Sequence, residues 1–240
     1  ILSFLSLIIA RFIFIKKIIL YSSIIKKNYN FIFISDIHLG SNSLNHFKRI
    51  LKKINSLEYD FLLIGGDLID SDSFKIENLS IFKNIKKPIL FVTGNHEYYL
   101  SDYKEKLSQL VDYNIRFLKN DKYTFQDLNI IGVEDNIKNE DKVKVIKNLI
   151  DSSKFNIALL HKPSIWDQIK RNTNFMISGH THNGQIFPFN FLVRLQFKYK
   201  YGLYNCDLSQ LYVSSGSGCW GPKMRLGSFN EIVFISINTN

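Results

Sequence analysis

Short, continuously apolar runs alternate with polar turns and with stretches of helical period along most of the chain. Residues 31–34, 61–64, 89–92, 155–160 and 175–177 are compact runs rich in Ile, Leu, Val and Phe, the pattern of strands covered on both faces. Leu44, Phe47, Ile50, Leu51 and Ile54 repeat at helical spacing between the first two. A second helical stretch at 76–85 stops before Pro88. Strand, polar loop and helix thus recur three times, which predicts an α/β fold whose loops converge at the carboxyl ends of the strands. An apolar run at 18–25, broken by Lys26, Lys27 and Asn28, predicts a hairpin leading into the strand at 31–34. Beyond a helix near 103–111, strands at 115–118, 123–125 and 130–133 read as a meander around the turn at Asp127, Leu128 and Asn129, and a helix follows near 143–150. Two late strands, 211–213 and 232–237, close the chain around a glycine-rich loop at 214–221.

The first seventeen residues break the pattern. Residues 1–10 are apolar apart from Ser3 and Ser6, and Arg11, Lys16 and Lys17 follow them. The run is shorter than the roughly 20 apolar residues needed to cross a bilayer. A secretory signal carries its basic residues before the apolar run, not after it. Residues 1–17 therefore read as an apolar and basic segment, the remnant of a membrane anchor or an interfacial helix, with the lysines placing the domain on the cytoplasmic side. The alternative is an amphipathic helix packed on the domain. Residues 18–240 read as one globular domain.

Composition supports that size of core: 240 residues with 45% hydrophobic content suffice for a single α/β domain and exclude a disordered chain. The formal net charge of +10 raises the question of an anionic partner. The excess is mostly lysine spread along the whole chain, which suits a solvated surface and argues against nucleic acid. Cys206 and Cys219 have no metal-knuckle spacing and read as thiols in a reducing compartment.

The candidate chemistry lies in the histidines. Of six, His38, His96, His161, His180 and His182 all fall at predicted strand ends, and only His46 sits elsewhere, on a predicted helix. Alternation along an extended backbone points His180 and His182 the same way, although a loop His-x-His alone is also compatible with hydrogen-bonded histidines. Together with Asp36, Asp67 and Asn95, the five supply enough imidazole and oxygen ligands for two divalent ions, with Asp67 able to bridge.

In order, the residues are Asp36-Ile37-His38, Gly66-Asp67-Leu68-Ile69-Asp70, Gly94-Asn95-His96-Glu97, His161 and Gly179-His180-Thr181-His182. This series resembles the calcineurin-like metallophosphoesterase superfamily across nearly the whole chain. The stretches at 94–99, 184–188 and 220–227 are similar to a membrane-associated bacterial branch of the YkuE and YaeI type. The resemblance implies a four-layer α/β/β/α sandwich and a binuclear metal-dependent phosphoester hydrolase. It implies one metal site of Asp36, His38, Asp67 and His182 and a second of Asp67, Asn95, His161 and His180. Mn, Fe or Zn all suit such ligands. Two cations a few Å apart lower the pKa of a shared water, making a bridging hydroxide available, and neutralise the phosphoryl oxygens.

By the same resemblance His96 faces the substrate, as a transition-state stabiliser or proton donor, and Asp70 is expected to orient it. Glu97 reads equally as support for the site or as surface charge. The aromatic and basic stretch at 186–201 follows the last motif directly. It predicts a membrane-facing element that admits a lipid-linked phosphodiester or pyrophosphate, with Asn183, Gln185, Phe187, Phe189 and Arg194 nearest the substrate; a helix or hairpin buried in the sandwich is the alternative. Two further readings are a nuclease, for which a concentrated basic patch is missing outside this stretch, and a non-enzymatic scaffold, which should have lost ligands.

Overall fold

The computed structural model describes residues 2–207 and 209–240. Ile1, the first residue of the expected N-terminal segment, lies outside the described residues. Among the described residues, twelve strands form two six-stranded sheets. The first contains β1 (Ile13–Ser22), β2 (Tyr29–Ile34), β3 (Phe61–Gly65), β4 (Ile89–Val92), β5 (Ile115–Phe117) and β12 (Asn230–Thr239), in the order β1-β12-β2-β3-β4-β5. The second contains β6 (Asp121–Phe125), β7 (Leu128–Gly132), β8 (Phe155–Leu159), β9 (Phe175–Ser178), β10 (Gly202–Cys206) and β11 (Ser209–Val213), in the order β10-β11-β9-β8-β7-β6.

Three apolar cores separate four layers. Between the sheets, Phe31, Phe61, Leu159, Phe175 and Ile235 are fully buried, and the Phe31 and Phe61 rings stack with centroids 4.9 Å apart. On the outer face of the first sheet, Ile32, Ile64 and Phe91 pack against α2 (Leu44–Ile54), against the 3₁₀ segment Ile76–Asn84 and near α3 (Tyr103–Gln109). Beyond the second sheet, Ala158, Met176 and Val213 pack against α4 (Asn139–Leu149) and α5 (Trp166–Ile169). Burial on both faces explains why the central strands lack polar alternation. This is the expected α/β/β/α sandwich.

Three local expectations need correction. β1 begins at Ile13, so the boundary expected after residue 17 falls inside a strand of the first sheet. Its partner is β12, parallel, with Ile13 beside Asn230, and β12 lies between β1 and β2, so no β1–β2 hairpin forms. Lys16 and Lys17 are exposed along this edge strand, a common protection of free edges. The meander is likewise divided. β5 joins the first sheet beside β4, whereas β6 and β7 form a hairpin in the second, turning at Gln126 and Asp127. Cys206 and Cys219 are free thiols, as expected.

Two helices leave apolar surface uncovered. In α1 (Leu2–Ile9) only Ser6 is buried, while Leu2, Phe4, Leu5 and Leu7 are exposed. The α6 helix (Phe189–Gln196) has no buried residue, so the helical part of the stretch after the last motif lies outside the core, while Tyr199 beyond it is buried against Trp166. Among the described residues, no helix is long and apolar enough to cross a membrane.

Candidate metal centre

The loops following β2, β3, β4, β8 and β9 meet at one end of the sandwich, because β2, β3 and β4 run parallel in one sheet and β8 and β9 parallel in the other. They deliver Asp36 and His38, then Asp67, then Asn95 and His96, then His161, and finally His180 and His182. Asp36, His38, Asp67, His161 and His182 are buried. Asp36, His38, Asp67, His180 and His182 hold φ between 49° and 72°. That left-handed region costs a residue with a Cβ roughly 1 kcal/mol or more, so the surrounding structure must impose it. Gly94 shows how closely the loops approach: a Cβ there would overlap Asp67 Oδ1.

Three overlapping groups of donor atoms result: Asp36 with His38 and His182, His38 with Asp67 and His96, and Asp67 with His161 and His180. His38 Nε2 lies 3.2 Å from His182 Nε2, and Asp36 Oδ1 is 3.5 Å from the latter. Asp67 Oδ2 is 3.8 Å from His38 Nε2 and 3.2 Å from His161 Nε2, whose other neighbour is His180 Nδ1 at 3.1 Å. The Asn95 amide oxygen is buried and receives no hydrogen bond. Ring nitrogens facing one another, a shared carboxylate and an orphaned amide oxygen together fit divalent cations that accept mixed nitrogen and oxygen ligands.

Burial opposes charge on both Asp67 and His161, but each overcomes it in the other. His161, with His38 and His96, holds the Asp67 carboxyl well below the usual carboxylate range, and Asp67 raises His161 to about 10. Burial and His161 push His180 down to about 3, and burial and Arg225 hold His182 well below its ordinary value. The metal-free centre thus keeps a proton on His161 and has neutral rings at His180 and His182. A raised His161 contributes stability that is complete below its unfolded pKa of about 6.5 and is lost as pH climbs toward its folded value. The depressed Asp67 contributes above the ordinary carboxylate range and loses its share only in strong acid. Metal-stripped protein is therefore expected to melt at progressively lower temperature from pH 7 to pH 10, while metal uptake tightens over the same span as the His161 proton becomes easier to displace. Thermal melts after chelation check this; a flat melting temperature across that interval contradicts it.

The family profile described as "Calcineurin-like phosphoesterase" matches residues 29–184, which contain every one of these donors. The chain belongs to the calcineurin-like phosphoesterase family. An uncharacterized metallophosphoesterase of Helicobacter pylori is 35% identical over 93% of this chain and 63% of its own length. The chain thus spans less than two thirds of that relative. A Bos taurus protein named "Transmembrane protein with metallophosphoesterase domain" is 31% identical over 84% of this chain and 51% of its own. A Staphylococcus aureus crystal structure in complex with alpha-ketoglutarate aligns at TM-score 0.51 and 13% identity, covering 79% of this chain and 49% of that one, a likeness of fold alone.

Within this calcineurin-like phosphoesterase, several expected residues have partners the sequence did not disclose. Asp70 Oδ2 lies 3.2 Å from His38 Nδ1, and its Oδ1 accepts from the Ser41 N–H, so Asp70 orients His38 and not His96 as expected. The reason is the isolated bridge between Leu39 and Ile69, which draws the two loops together. His96 sits instead among rings, 4.7 Å from His38, 5.1 Å from Tyr99 and 6.2 Å from Trp220 between centroids.

Glu97 is buried and accepts from the N–H groups of Asp67, Leu68, Ile69 and Gly94. It is a brace for the Asp67 loop, which settles the choice between support and surface charge. Burial, with the Asp67 charge, pushes it up to about 7 against the pull of those donors. Gln185 has its amide nitrogen bonded to the Trp220 and Pro222 carbonyls and its amide oxygen to the Trp220 N–H, so it straps two loops and does not face a substrate. Asn183 is half-buried at the turn with φ 51°, and Phe187, Phe189 and Arg194 are exposed on or just before α6. His46 donates from Nε2 to the Ser217 carbonyl, 2.7 Å away, a packing contact as expected.

Arg225 escaped the sequence reading as a site residue. It is fully buried, its Nη1 donates to the His182 carbonyl at 2.9 Å, and its Nη2 lies 3.3 Å from His182 Nδ1. The only sequence signal was its place in a Gly-rich, aromatic loop near the chain's end.

Proposed function

We propose that this phosphoesterase uses two divalent ions to hydrolyse a phosphodiester or pyrophosphate carried on a lipid or held close to a membrane. The observation that carries the two-ion reading is Asp67, a single carboxylate shared by donor groups that extend in opposite directions, toward His38 and toward His161 and His180. Asp36, His38, Asp67 and His182 would hold one ion, and Asp67, Asn95, His161 and His180 the other. When bound, such ions lower the pKa of water and neutralise charge on phosphoryl oxygens. The chain's own residues do the rest. Asp70 fixes the His38 ring, Glu97 fixes the Asp67 loop, and His96 stands at the open side of the cluster between Tyr99 and Trp220. Burial lowers the pKa of His96, so an arriving phosphoryl anion favours its protonated form and lets it donate toward the leaving oxygen.

The membrane part rests on α6, which leaves Phe189, Phe191, Leu192 and Leu195 exposed just beyond the His180–His182 turn, with Arg194 among them. The "Transmembrane protein" name of the Bos taurus relative points the same way. The spread of lysines and the absence of a dense basic block favour this reading over a nuclease.

The test is a screen of Mn-loaded protein against soluble mono- and diesters, sugar-nucleotide lipids in vesicles and single-stranded DNA. Hydrolysis of diesters or pyrophosphates, fastest in vesicles, is expected; preference for DNA with a steep salt dependence overturns it in favour of a nuclease. His96→Ala is expected to lower kcat by about a hundred-fold or more with metal content unchanged. Loss of metal without a specific rate effect would return His96 to a structural role.

A further inference from the structure

A cavity of about 370 Å³ lies between the end of α1 and the start of α2, apart from the metal cluster. Arg11, Arg49 and Lys223 line it, together with His46, Asn42 and Asn45, and no Asp or Glu is among its lining residues. The side chain of Asn42 is spent on the Ile37 and Cys219 carbonyls, and that of Asn230 on the Ala10 carbonyl and Arg225. Arg49 reaches across to the Arg11 carbonyl, which fixes its guanidinium at the cavity wall. The amino end of α2, capped by Ser43, opens on the same space and adds positive potential. His46 registers that potential: burial lowers its pKa, and Arg49, Arg225 and Lys223 lower it further.

The surroundings of this positive cavity are apolar. Leu7 on its wall is exposed, as are Phe12, next to Arg11, and Trp220, next to the lining residue Cys219. Phe14 and Phe229 extend the patch with ring centroids 5.0 Å apart, and both are exposed. α1 continues it with Leu2, Phe4 and Leu5. Three cations around a hollow, rimmed by aromatic and aliphatic side chains, match a phosphate attached to acyl chains better than a free ion, which would need no apolar rim.

We propose that the cavity between α1 and α2 is a second, non-catalytic site that binds the phosphate of an anionic phospholipid headgroup, with α1 and the Phe12–Phe14–Phe229 patch lying in the bilayer interface. Arg49 and Lys223 clamp the phosphate, and the site operates whether or not the metal centre is loaded. This proposal is independent of the substrate assigned above.

The experiment is sedimentation of the protein with phosphatidylcholine vesicles and with vesicles containing 30% phosphatidylglycerol. The doubly substituted Arg49→Gln/Lys223→Gln protein is compared with Lys86→Gln/Lys87→Gln, which removes the same charge before β4, at the opposite end of the sheet. At about five-fold per basic residue near an anionic surface, the first variant should lose roughly twenty-five-fold in partitioning to the anionic vesicles, and the control far less. Melting temperature and hydrolysis of a soluble diester should be unchanged in both. Equal losses in the two variants reduce the effect to general attraction and overturn the site. Equal binding to the two kinds of vesicle also overturns it. Tight binding of glycerol phosphate, lost in Arg49→Gln/Lys223→Gln without any vesicle preference, assigns the cavity to a soluble phosphate and overturns the lipid assignment.

Discussion

Asp67→Asn is expected to abolish activity by at least about a thousand-fold and to leave less than one tightly held ion per chain. The substitution keeps the shape of the side chain but removes its charge and exchanges one acceptor oxygen for an N–H₂ donor. Asp67 Oδ2 is near both His38 Nε2 and His161 Nε2, and Oδ1 accepts from the His96 N–H at 2.9 Å. An amide supplies one oxygen where the carboxylate supplies two, and its N–H₂ must turn toward a ring nitrogen or a backbone N–H. The same change removes the main cause of the raised His161 pKa. The variant's melting temperature should therefore no longer fall between pH 7 and pH 10, and at pH 6.5 it should lie below that of the unsubstituted metal-free protein. Metal analysis, kcat with saturating Mn and melts at the two pH values separate the consequences. Two retained ions with more than a tenth of the activity would show that Asp67 is not shared.

The legible part of this centre was the part carried by single residues at the ends of apolar runs. Buried parallel strands have to be continuously apolar, so Asp36, His38, Asp67, His96, His161, His180 and His182 stand out against their neighbours. The α/β/β/α architecture followed from the resemblance those residues carry. What stayed hidden depends on contacts between distant segments. The pairing of β1 with β12 joins residues more than two hundred positions apart, and nothing in the run at 13–22 distinguishes that partner from β2. Asp70 was assigned to the wrong histidine because either ring lies within reach of a loop carboxylate, and the Leu39–Ile69 bridge decides between them. Glu97 carries no periodicity that would reveal four N–H partners. The stretch holding α6 has the same aromatic composition whether it faces a core or solvent, and only the exposure of α6, with Tyr199 beyond it buried, resolves the choice.

Arg225 is the strongest example of this kind, since a lone arginine in a glycine-rich loop reads as a surface charge. Arg225→Met, which preserves much of the length and removes the guanidinium, is expected to lower stability by about 3–5 kcal/mol, or about 10 °C in melting temperature. The side chain donates to neutral oxygens: Asn230 Oδ1 at 2.9 Å, Ser228 Oγ at 3.2 Å and the carbonyls of His182 and Gly218. Those acceptors are buried, so methionine leaves them without donors in a place water reaches poorly. The Arg225 backbone N–H also binds the Ser6 carbonyl, which ties α1 to the same loop and is untouched by the substitution. Loss of the guanidinium frees the His182 backbone and removes the positive charge that, after burial, lowers the His182 pKa. Metal should therefore be lost preferentially from the ligand group of Asp36, His38 and His182, and excess Mn should restore much of the rate without restoring the melting temperature. Arg225→Lys keeps the charge but not the planar fork, and should fall between the two. A methionine variant that melts like the parent would show that the four acceptors find other donors, and the clamp on His182 would then have to lie elsewhere in the 217–228 loop.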